Sequence, residues 1–176
     1  MQMFQWFRFP LRTVGRYLPE CLLLACWACG CWAGILTGSN AGVIYLSLMR
    51  GALGCSVSIV GLAFSVFLPF LLSAFAVYWN RPRFLYIISF VKAWSFTFAA
   101  YGICQAFGSA GWLVRFLVQF SDICLLCPLC WFLLRHIRSG SQLWKRDLEF
   151  CTLAAAAVCS IDYCVVSPFV VALTQT

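Results

Sequence analysis

Residues 84–107 and 112–134 form two long apolar runs separated only by Gly108-Ser109-Ala110-Gly111. An α-helix rises 1.5 Å per residue, so each run is long enough to cross the ~30 Å hydrocarbon core of a bilayer. Lipid offers the backbone no hydrogen-bond partner, which makes helices the natural structure for such runs. Yet the runs contain Lys92, Arg115, Gln119 and Asp122. A charge at mid-bilayer costs at least ~2.5–3.5 kcal/mol, so the fold must bring these groups to partners.

The rest of the chain has the same character. Of 176 residues, 64% are hydrophobic and 10% charged, against about half and a quarter in soluble domains. No hydrophilic stretch is long enough for a separate soluble domain. The sequence therefore predicts one all-α integral membrane domain, a helix bundle with five spans at about 18–36, 55–79, 84–107, 112–134 and 150–173. Residues 1–17 interleave Phe4, Trp6, Phe7 and Phe9 with Arg8, Arg12 and Arg16. That pattern suits a short interfacial segment. The apolar run before Cys26 is too short for a cleaved leader. Between spans one and two, residues 39–54 suit a short helix at the outer interface.

The net charge of +7 is spread around the apolar runs instead of forming one patch. This argues against nucleic acid and for anionic lipid headgroups. Arg8, Arg12, Arg16, Arg81, Arg83, Arg135, Arg138, Lys145 and Arg146 fall on one side of a five-span topology, and Arg50 alone on the other. Nine against one predicts N-terminus in and C-terminus out, in the cytoplasmic membrane.

Span one ends in Gly30-x-x-x-Gly34-x-x-x-Gly38. Small residues four apart make a groove for close helix approach, a main source of association in lipid. It is the expected docking surface for another helix, and for membrane-protein partners or a second copy of the chain. Arg115, Gln119 and Asp122 share one face of span four, and Ser89, Lys92, Ser95, Ala99 and Gly102 one face of span three. Asp122 lies ~15 Å along its helix, Asp162 ~18 Å along span five and Lys92 ~12 Å from the other end of span three. One cluster is expected, with Lys92 neutralising Asp122, Asp162 or both and Arg115 snorkelling outward. The cluster either fixes helix register or marks a proton or ion path.

Twelve cysteines include Cys26-Trp27-Ala28-Cys29 and the run Cys124, Cys127, Cys130. Their spacing is ligand-like, but each set lies in an apolar helix, where cysteine behaves as a small hydrophobe. No metal or cofactor is expected, and the redox compartment stays open. His136, beside arginines in the polar loop 135–149, is expected in solvated headgroup contact. No hydrolase triad, zinc-protease motif or nucleotide loop is present, so no enzyme is expected.

Lys92-Ala93-Trp94 in one span, the Gly108–Gly111 turn, Phe120-Ser121-Asp122 in the next span and Pro128 beyond it resemble the stage II sporulation protein M family. There a Lys-Gly-aromatic start and a Gly-bounded turn precede a Pro-Gln-Asn element and a later proline. Phe120-Ser121-Asp122 stands where Pro-Gln-Asn would be. The resemblance covers about the central third of the chain and its topology. It implies a non-enzymatic membrane scaffold that assembles with cell-wall hydrolases. The rival expectation is a small transporter or permease subunit using Lys92, Asp122 and Asp162.

Overall fold

The computed structural model describes residues 3–40, 58–81, 83–108, 111–139 and 144–175. The outer-interface helix expected at 39–54 falls almost wholly outside them. The described residues are helical, and five helices are long and apolar enough to cross a membrane. They run through Tyr17–Ser39, Ile59–Tyr78, Arg83–Phe107, Phe120–Ile137 and Lys145–Ala172. The chain is an all-α, multi-pass membrane bundle.

Helix α1 runs without interruption over Met3–Ser39. The interfacial segment expected at 1–17 is therefore not a separate element, but the first turns of a helix ~55 Å long. Pro10 and Pro19 do not break it. Helix α2 covers Ile59–Tyr78 and α3 Arg83–Phe107. Between them Asn80, at φ 52°, closes α2: its N–H donates to Val77 O and the Arg81 N–H to Ala76 O. These two bonds cap orphan carbonyls through one left-handed residue, a position asparagine tolerates better than most.

After α3, Gly108 takes φ 56°, and α4 starts at Gly111 hard against α3. A Cβ on Gly111 would lie 2.7 Å from Cys104 Cα. Span four is not the continuous helix that its apolar run predicts. Helix α4 ends at Val118 and α5 spans Phe120–Ser139, with Gln119 as a turn residue between them. Asp122 consequently sits in the first turn of α5.

The polar loop expected at 135–149 is mostly helix. Helix α5 continues to Ser139 and α6 begins at Trp144, ending at Ile161. Then Asp162–Val166 make a π-turn before α7, Ser167–Gln175. Pro168 supplies a cause: its ring crowds the carbonyl four residues back and it lacks an N–H. Widening the turn accommodates both, and the Ser167 N–H bonds Asp162 O instead.

Helix α1 packs along α3, α3 touches α2 and α4, and α6 packs on α5 and α2. One core joins Leu23, Val66, Phe70, Leu85, Leu129, Phe132, Cys151 and Ala155 from five helices. Large apolar side chains such as Leu24, Trp32, Phe64, Leu71, Trp112 and Leu153 lie outside. For a bundle solvated by lipid, this is the expected arrangement.

Candidate functional site

The buried polar groups lie in three layers. In the first, Lys92 on α3 reaches across to α5, where its Nζ donates to Asp122 Oδ1 at 2.5 Å. Both side chains are mostly shielded, at 15% and 24% exposure. The N-terminal turn of α5 adds its positive dipole end to the ammonium, so the carboxylate is stabilised twice. Val66, Pro69, Phe70, Leu125, Leu126 and Leu129 close around the pair, leaving a cavity of about 10 Å³. That is about the space of a single water.

One turn along α3 is the second layer. Gln119 donates through Nε2 to the Phe96 carbonyl at 2.8 Å and accepts from Arg115 Nε at 3.3 Å. The Arg115 guanidinium rests between the Phe96 and Trp112 rings, 5.8 and 5.2 Å from their centroids. Arg115 is therefore sheltered by aromatic faces, a cation–π arrangement, and not simply extended to the headgroups. Gln119 is the residue at which span four breaks, and its side chain ties that break to α3.

Asp162 makes the third layer. It is buried in the π-turn, where Ser167 Oγ approaches its Oδ1 at 3.4 Å and Ser121 hydrogen-bonds its carboxyl group. Lys92 takes Asp122 and not Asp162. Within the expected cluster of Lys92, Arg115, Gln119, Asp122 and Asp162 the contacts are one ion pair, one amide–arginine pair and one serine-bound carboxyl. Asp162 lies near enough to Asp122 to feel its charge. The facing stripes on spans three and four meet at Lys92 with Asp122, whereas Gln119 reaches the backbone carbonyl of Phe96, outside the expected stripe.

The glycine groove is filled from within the chain. A Cβ on Gly30 would lie 2.5 Å from Phe90 O, on Gly34 2.7 Å from Trp94 O, and on Gly38 3.0 Å from the Tyr101 ring. Thr37 and Trp94 lock the same face, Trp94 Nε1 donating to Thr37 Oγ1 at 3.0 Å. A docked helix is there, but it is α3, so Gly30, Gly34 and Gly38 are not open to another protein.

Sequence reasoning missed a second polar site at the end of α5 and start of α6. His136 is not solvated: its side chain is fully buried, with Nδ1 2.8 Å from Phe132 O and Nε2 3.7 Å from Asp147 Oδ2. Arg135 Nε lies 3.0 Å from the same oxygen. The usable signal was the opposite charge of Asp147 across a short Ser-Gly-Ser break, which a helical hairpin brings together. Cys124 and Cys127 are exposed and Cys26 half-buried, while Cys151 and Cys159 are in the core. Among the described residues no three His, Cys, Asp or Glu side chains converge as metal ligands.

Comparison with protein families, curated proteins and solved structures finds no match.

Proposed function

We propose that this chain is a non-enzymatic membrane protein that acts by assembling with other membrane proteins, its buried charges serving to fix the bundle. The observation that carries the structural role of the charges is the closure of Lys92 on Asp122 inside an apolar shell with room for about one water; assembly with other membrane proteins rests on the resemblance given above. A charge pair so enclosed specifies which helices meet, a role well attested for buried polar groups. Assignment of the partners to cell-wall hydrolases rests on the resemblance to the stage II sporulation protein M family alone. We place the N-terminus in and the C-terminus out, in the cytoplasmic membrane, on the nine-to-one split of basic residues between the two sides of a five-span sequence.

Asp162 favours a second reading, a small transporter or permease subunit. It is a buried carboxyl held by hydroxyls at a π-turn, and π-turns and intramembrane acids both concentrate at functional sites. Two experiments separate the readings. A mild-detergent pull-down of the tagged chain is expected to recover membrane-protein partners, peptidoglycan hydrolases among them. Proton or ion flux in proteoliposomes, abolished by Asp162→Asn, would overturn the assembly reading and establish transport.

A further inference from the structure

At the basic end of the bundle, α5 and α6 open into a cleft of about 380 Å³ lined by Trp131, Arg135, Arg146, Asp147 and Phe150. Its walls are of two kinds. Trp131 and Phe150 meet edge to face, with centroids 5.9 Å apart, and both are exposed on the outside of the bundle. Arg135 and Arg146 supply guanidinium groups. Arg135 is braced on both sides, by Asp147 at 3.0 Å and by the Trp131 ring at 5.2 Å. Asp147 in turn is buried and faces His136. The Arg135 side of the cationic wall is therefore fixed before any ligand arrives, which lowers the ordering cost of binding.

Asp147 opposes an anion, but two guanidiniums against one carboxylate leave the cleft net positive. Arg146 and Asp147 also lie in the first turn of α6, where the helix dipole adds positive potential. An aromatic wall beside a cationic one matches an amphiphile with an anionic head. A free anion would have no use for Trp131 and Phe150, whereas a lipid would lay its first acyl carbons against them. We propose that this cleft binds the phosphate headgroup of an anionic phospholipid, with Arg135 and Arg146 on the phosphate and the two aromatics along the chains.

The test is native mass spectrometry of the full chain in detergent, titrated with phosphatidylglycerol, phosphatidylcholine or inorganic phosphate. Phosphatidylglycerol should be retained in preference to phosphatidylcholine. Arg146→Gln, an exposed position, should lower that retention about fivefold, the worth of one arginine at an anionic surface. Arg83→Gln, which removes the same charge outside the cleft, should lower it much less, and circular dichroism should show both variants helical. Equal retention of the two lipids would overturn the proposal, as would equal losses in the two variants. Binding of inorganic phosphate that depends on Arg146 and displaces the lipid would assign the cleft to a free anion instead.

Discussion

Lys92 and Asp122 show what a buried pair contributes when it is cut and when it is replaced whole. Lys92→Met strands a carboxylate in an apolar shell, and should lower unfolding stability in mixed micelles by ~3 kcal/mol or more. The double variant Lys92→Met, Asp122→Leu removes both charges and should recover most of that loss, because an apolar replacement of a pair is often neutral. If the double variant is as unstable as the single, the pair is more than a register device. The pair was legible in the sequence because a mid-bilayer charge demands a partner. The choice of Asp122 over Asp162 was not, since 1.5 Å per residue gives depth and says nothing of rotation. The Asp162 carboxyl turns instead to Ser121 and Ser167.

At the scale of elements, the glycines divide sharply. A side chain at Gly34 would collide with α3 backbone, 2.7 Å from Trp94 O, so Gly34→Leu should destabilise the isolated chain by more than the ~1–3 kcal/mol typical of overpacking. Gly61 meets only Ser58 Cβ at 3.9 Å. Gly61→Ala should be neutral or add ~0.5–1 kcal/mol, since it relieves the helix of a flexible residue. Thermal unfolding of the two variants checks both. The groove was readable from its four-residue spacing, but its occupant was not, because nothing local says which helix fills it. The helical hairpin after Leu134 was hidden for a different reason. Arg135, His136, Lys145, Arg146 and Asp147 read as solvated polarity, whereas pairing across the break lets them enter helices with His136 and Asp147 buried. Asp147→Ala should therefore cost ~1–3 kcal/mol by leaving Arg135 and His136 without their carboxylate. A loss below a few tenths would mean that the hairpin stands without it.

For the whole molecule, five hydrophobic runs were enough to give an all-α bundle, because lipid leaves few alternatives. Boundaries at the interfaces were less legible, since Met3–Tyr17 simply continues α1 and Trp144–Glu149 simply opens α6. The proposed topology places the 79–83 turn and the 140–143 connector on one side and residues 41–57 on the other. Cysteine-free protein with single thiols introduced at 80, 142 or 47 should show labelling by an impermeant reagent from outside only at 47. Labelling at 80 from outside would reverse the orientation.

The groove on α1 also sets an order of events during synthesis. Its occupants, Phe90 to Tyr101 on α3, are translated only after the whole of α2. A chain halted after Tyr78 would sit in the membrane with three glycines facing lipid and no helix to cover them. Until α3 leaves the ribosome, span one is an unclaimed surface open to insertion chaperones and to membrane proteases. Nascent chains truncated between α2 and α3 should be degraded faster than chains truncated just beyond Phe107.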